Sequence, residues 1–140
     1  MLEVQETNFP IVSVQFINAV SLEDVEQYLS HFDQWLTRET PFGLILSQLN
    51  DPNKDMIDDE TVYQAVHRTI VQWGKQNKAQ ILQHCAGIAL LVEDVEELAQ
   101  KRRAAPKTIT AIYGCPGQAC VTALEAQQWI SQQLLRCGNS

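Results

Sequence analysis

The segment Ala86-Gly87-Ile88-Ala89-Leu90-Leu91-Val92 is apolar throughout and lacks the alternation of a strand with one wet face. A run of this kind is expected of a central strand covered on both faces. It is far shorter than the ~20 residues needed to span a bilayer, so no membrane insertion is expected. Such a strand needs neighbours, and the chain offers three more. Ile11-Val12-Ser13-Val14-Gln15-Phe16-Ile17 is rich in branched and aromatic residues, and Phe42-Gly43-Leu44-Ile45-Leu46-Ser47 follows Pro41. Thr108-Ile109-Thr110-Ala111-Ile112-Tyr113, after Pro106, is read as the last strand. Residues 2–8 form a short edge strand or an arm, because Pro10 interrupts any ladder there.

Helical patterns fill the intervals. Ser21 with Asp24 three residues later resembles a capping box and opens a helix to about Thr37. Leu22, Val25, Leu29, Phe32 and Leu36 step by three and four along it, a single buried stripe. Tyr28 and Trp35 widen that stripe beyond what one sheet face needs. A second helix runs from Asp58 or Asp59 to near Lys75 on a spine of Val62, Val66, Ile70 and Trp73, with Gly74 bending or ending it. Lys78 to His84 continues as helix. A third helix spans Glu93 to about Arg103, and a fourth Ala119 to Arg136, with Ala123, Ala126, Ile130 and Leu134 toward the sheet and Trp129 beside them. The order strand, helix, repeated four times, predicts an α/β domain. Its mostly parallel sheet has four or five strands and is joined through about four helices by right-handed crossovers. Loops that follow strands then collect at the carboxyl end of the sheet, the usual place for a site.

The length of 140 residues matches one domain. Seventeen acidic residues against ten basic ones give a formal charge of −7, which repels phosphate backbones. The densest basic segment, Lys101-Arg102-Arg103, sits at a helix end, where cations complement the dipole, so no nucleic acid is expected as a partner. The start, Met1-Leu2-Glu3-Val4, has no basic region followed by an apolar one, so no secretory signal is read there. The cysteines, Cys85, Cys115, Cys120 and Cys137, are therefore expected as reduced thiols in the cytoplasm.

Several residues invite chemistry. Cys115 and Cys120 flank the last strand-to-helix turn in C-P-G-Q-A-C, which is not the C-x-x-C of thioredoxin-like enzymes. Cys120, near a helix N-terminus, has a route to a stabilised thiolate. With Cys115 and Cys120 at the carboxyl end, and His84, Cys85 and Cys137 at the other, neither end supplies four zinc ligands, so no metal is expected. His31 and His67 lie on helices without a triad pattern around them. Asp51, Asp55, Asp58, Asp59, Glu60, Glu93 and Asp94 follow strands and crowd one end, yet most occupy helix starts, where the dipole favours acids. No phosphate-binding glycine motif occurs, and Gly114 and Gly117 relieve a turn. No cofactor and no catalytic residue follow from these patterns.

Pro10-Ile11-Val12-Ser13-Val14, the helix from Leu22 to Leu36, Thr40-Pro41-Phe42-Gly43-Leu44-Ile45-Leu46, Val71-Gln72-Trp73, Cys85-Ala86-Gly87-Ile88-Ala89 and Ala123-Leu124-Glu125-Ala126-Gln127-Gln128-Trp129-Ile130 occur in that order. Together they resemble the SpoIIAA-like branch of the STAS domains, bacterial modules related to anti-sigma-factor antagonists. The resemblance covers nearly the whole chain. It implies a four- or five-stranded sheet, four helices, and work through protein contacts or small ligands rather than catalysis. Better-studied relatives carry a phosphorylatable serine at the start of the helix after a central strand. Here the only hydroxyl in that neighbourhood is Thr61, inside an acidic run, which makes Thr61 the candidate switch residue.

These readings lead to a non-catalytic regulatory or scaffolding module. Tyr28 and Trp35 are the candidate protein-binding residues, and a homodimer through the first helix is the simplest version. The alternatives are a small-ligand module using Gln48, Asn50, Glu93, Cys115 and Cys120 at the carboxyl-end crevice, and a thiol redox protein using Cys115 and Cys120.

Overall fold

In a computed structural model, which describes residues 2–17, 21–49, 60–92 and 95–138, the chain forms one five-stranded sheet and four helices. The elements are β1 (Leu2–Gln5), β2 (Ile11–Ile17), α1 (Leu22–Thr37), β3 (Phe42–Leu49), α2 (Glu60–His84), β4 (Cys85–Leu91), α3 (Val95–Tyr113), β5 (Gly117–Cys120) and α4 (Ala123–Gly138). The sheet order is β1-β2-β3-β4-β5. β2 to β5 are parallel, and β1 is antiparallel to β2.

This order never reverses, and that decides where the helices go. Right-handed crossovers that always step the same way leave α1, α2 and α3 on one face. Their apolar residues share a core with Val12, Val14, Phe42, Leu44, Ile88 and Ala119 of the strands. α4 returns across the other face, over Ile45, Ala89 and Cys120, through Ala126 and Ile130. Gly43 and Gly87 stand opposite one another in β3 and β4. A Cβ on Gly43 would collide with Ile130, and one on Gly87 would lie 2.9 Å from the Trp129 ring. The two glycines therefore let α4 settle directly on the sheet.

The capping box of α1 forms as its sequence suggests. The Asp24 amide donates to Ser21 Oγ at 3.1 Å, and the Ser21 amide donates to Asp24 Oδ2 at 3.2 Å. The turn between β1 and β2 is held against the end of α1. Glu6 Oε1 accepts from Trp35 Nε1 at 2.6 Å and pairs with Arg38 at 3.0 Å, and the Arg38 guanidinium lies 4.8 Å from the centre of the Phe9 ring.

Two sequence expectations fail. Residues 108–113 are not a strand. α3 runs through Pro106 to Tyr113, and the last strand is the short Gly117–Cys120. In the helix, Ala105, Ile109 and Tyr113 step by four along one face, and all are buried. Gly117 admits Ile109 against β5: a Cβ there would fall within 2.8 Å of three Ile109 atoms. Gly74 does not end a helix, since α2 is continuous over Glu60–His84. The glycine is the point at which α2 crosses α3, where a Cβ would collide with the carbonyl oxygen of Ile112.

Candidate functional site

The structure places several of the residues singled out by sequence elsewhere than expected. Tyr28 and Trp35 belong to the core, with 1% and 0% exposure. The extra breadth of the α1 stripe serves an aromatic cluster rather than a partner. Phe32 stacks on Tyr113 and tilts against Trp35 and Trp73, while Tyr28 meets Phe16 edge-on. The polar tips of the two rings find partners inside the molecule: the hydroxyls of Tyr28 and Tyr113 hydrogen-bond at 3.1 Å, and Trp35 uses Glu6. Neither ring is available to a second protein, a correction to the expectation drawn from their number.

The shift of the last strand also separates Cys115 from Cys120. Cys115 precedes β5 and Cys120 ends it, so they occupy opposite ends of the strand, and only Cys120 lies at the carboxyl end. Both are buried. Cys120 is not set at a helix start, since α4 begins at Ala123. Burial pushes its thiol above the ordinary range, and the Glu125 carboxylate adds to this while Arg102 opposes it. The thiolate route suggested by sequence is thus reversed. Gln48 pairs with Phe16 across β2 and β3. Asn50 and Glu93, and the acids Asp51, Asp55, Asp58, Asp59 and Asp94, lie outside the described residues. Thr61 is the second residue of α2 and is exposed. Among the described strands the order does not reverse, so they form no switch point of the doubly wound kind. Among the described residues no group of three or more His, Cys, Asp or Glu side chains is placed to hold a metal ion, and no helix is long and apolar enough to cross a membrane.

Among the described residues, two surfaces remain. The first is the part of the sheet that α4 leaves bare. Glu3, Gln5, Ser13, Gln15 and Ser47 line a shallow depression of about 240 Å³ there. One of about 290 Å³ adjoins it, lined by Gln5, Thr7, Asn8, Ile11, Ser13 and Gln127. Polar residues of this kind are the ordinary wet face of an antiparallel edge pair.

The second surface is built by α2 and α3, and sequence reasoning missed it. Asp and Glu are absent from 61–92 and again from 98–124. Seven of the ten basic residues fall in those two intervals: Arg68, Lys75, Lys78, Lys101, Arg102, Arg103 and Lys107. α1 is the reverse, with Glu23, Asp24, Glu26 and Asp33 and no Lys or Arg. α2 packs between α1 and α3 in the same layer, so the layer is divided by charge. Along α2, Gln64, Arg68, Val71, Lys75, Lys78 and Leu82 are spaced by four, three, four, three and four, which places them on one face of the helix. Eighteen steps of ~1.5 Å from Gln64 to Leu82 make that stripe ~27 Å long.

Arg68, Lys75 and Lys78 are exposed, as are Arg103 and Lys107 of α3. Val71 is half-buried and Leu82 is 57% exposed, an apolar element among the bases. The Gly74 crossing and the contact of Lys78 and Leu82 with the space beside Gly114 set the stripe alongside α3. At its upper end Gln64, His67, Arg68 and Val71 line a mostly apolar depression of about 390 Å³. Arg102 pairs with Glu125 at 3.2 Å.

Comparisons of the chain with family models, with curated proteins and with solved structures found no match.

Proposed function

We propose that the protein is a non-catalytic regulatory or scaffolding module, cytoplasmic and of the SpoIIAA-like STAS type, that works by binding another protein. The observation that carries this reading is the α2 stripe, an exposed row of bases with Val71 and Leu82 set into it on a helix without acids beyond Glu60. Exposed apolar groups ringed by charge of one sign suit a protein interface, where the apolar part contributes affinity and the charges contribute orientation and speed of encounter. Five strands and four helices are compatible with the STAS resemblance. Thr61, on the first turn of α2, is the proposed modification site: a phosphate there would add negative charge at one end of the basic stripe.

The experiment is capture from an extract of the source cell on the immobilised intact domain. Its reference is the variant Arg68→Gln/Lys75→Gln/Lys78→Gln, with circular dichroism confirming that the variant folds. A defined protein retained in stoichiometric amount supports the module. Conversion of a small molecule by the purified domain, with no protein retained, would overturn it.

A further inference from the structure

From this reading of a protein-binding module, we infer the chemistry of the partner: the α2 stripe receives an acidic amphipathic helix. Three observations point to this occupant. The stripe presents Arg68, Lys75 and Lys78 with no acid on the same helix beyond Glu60, so it attracts negative charge. Val71, Leu82 and the apolar depression by Gln64, His67 and Arg68 give buried contact to apolar side chains at helical spacing, which a purely charged chain lacks. The length of ~27 Å corresponds to about five helical turns of a partner lying along it.

The same observations weigh against a nucleic acid. A duplex or single strand carries its charge past any one patch, and beside the stripe it would meet the acids of α1, where Glu23, Glu26 and Asp33 are exposed. A helix of a partner protein ends where the basic stripe ends. A second copy paired stripe to stripe is also disfavoured, because it places bases against bases.

The test uses fluorescence anisotropy with the full chain and a labelled synthetic helix of about 20 residues carrying leucines flanked by Asp and Glu. Three comparison ligands have the same label: a scrambled peptide of identical composition, poly-glutamate, and a short DNA duplex. Two triple variants change the net charge equally, Arg68→Gln/Lys75→Gln/Lys78→Gln on the stripe and Gln128→Glu/Ser131→Glu/Gln132→Glu on α4. The expected result is binding of the amphipathic peptide that weakens about tenfold or more in the stripe variant, weakens on raising salt, and changes little in the α4 variant.

Equal binding of scrambled peptide or poly-glutamate would overturn the inference in favour of plain ion exchange. Tighter binding of DNA would overturn it in favour of a nucleic acid. Equal losses in the two triple variants would show that net charge alone matters. Capture of the same cellular partner by wild type and stripe variant, with no peptide binding, would overturn this surface while leaving the module reading intact. Loss of both would overturn the two together.

Discussion

Gly74→Ala tests the packing that presents the basic stripe, because two effects of opposite sign compete and the structure says which wins. In an open helix interior, alanine is better than glycine by about 1 kcal/mol, so the substitution would stabilise α2 if Gly74 faced solvent or a loose neighbour. Here Gly74 is buried where α2 crosses α3, and the added Cβ would collide with the carbonyl oxygen of Ile112. That oxygen belongs to the backbone of α3 and cannot rotate aside as a side chain would. Relief requires the two helices to separate. Overpacking a close contact costs about 1–3 kcal/mol, and a rigid backbone neighbour places this site at or above the top of that range. The propensity gain offsets about 1 kcal/mol of it, leaving a net loss of about 2 kcal/mol or more. For a chain of this size each kcal/mol moves the melting midpoint by about 4 °C, so a fall of about 8 °C or more is expected. Urea denaturation followed by circular dichroism gives the same quantity through the midpoint at constant slope. A midpoint that rises, as it would for an ordinary helical glycine, refutes the close crossing and with it the placement of α3 beside the stripe.

Trp35→Ala is expected to cost about 3–5 kcal/mol, because the ring is fully buried and its indole N–H is tied to Glu6; a denaturation midpoint unchanged from wild type would return Trp35 to the surface. Ser21→Ala removes the side chain that caps α1 and should lower stability by about 1 kcal/mol, with no measurable change in urea midpoint as the contrary result. Burial raises the phenol pKa of Tyr28, reinforced by Tyr113, and burial likewise raises that of Tyr113. The folded protein then keeps protons that the unfolded chain releases, so this contribution to stability is whole below an ordinary tyrosine pKa of about 10 and declines as pH rises beyond it. Absorbance at alkaline pH should show two of the three tyrosines ionising only as the protein unfolds; free titration of all three in the folded state would refute the buried pair.

What could be read from the chain depended on whether local pattern and tertiary demand agreed. In β2, α1, β3 and β4 they agree: branched apolar runs lie beneath helices, and Ser21 with Asp24 closes its box. They conflict after Ala105. Thr108-Ile109-Thr110-Ala111-Ile112-Tyr113 has strand composition, and Pro106 resembles a stop. Helix wins because Ala105, Ile109 and Tyr113 then bury together against β5 and the aromatic cluster, and because Pro106 sits on an exposed face of the helix. The true strand, Gly-Gln-Ala-Cys, has weak strand propensity and exists because Gly117 and Ala119 admit α3 closely. One misplaced strand then moved Cys115 to the wrong end of the sheet and put Cys120 at a helix start. Both cysteine errors thus descend from a single error in the fold.

The basic stripe was hidden for a different reason. A net charge of −7 is a sum, and recognition depends on how charge is divided over a surface. Arg68, Lys75 and Lys78 look sparse along the chain, and Lys101 to Lys107 follow some thirty residues later. Only the parallel return of α2 and α3 in one layer turns these two intervals into neighbours. Once the layer order is known, the absence of Asp and Glu from 61–92 and 98–124 becomes the informative feature, since a stretch of helix with bases and no acids forgoes the intrahelical pairs that would otherwise neutralise it. The acids of α1 stand next to it without cancelling it: among the described contacts, Asp33 accepts from Trp73 Nε1 at 3.0 Å rather than from a base. Beyond Glu60 the charges of α2 are thus basic and those of α1 acidic, an arrangement that orients an approaching acidic helix toward α2 and away from α1 before any contact is made.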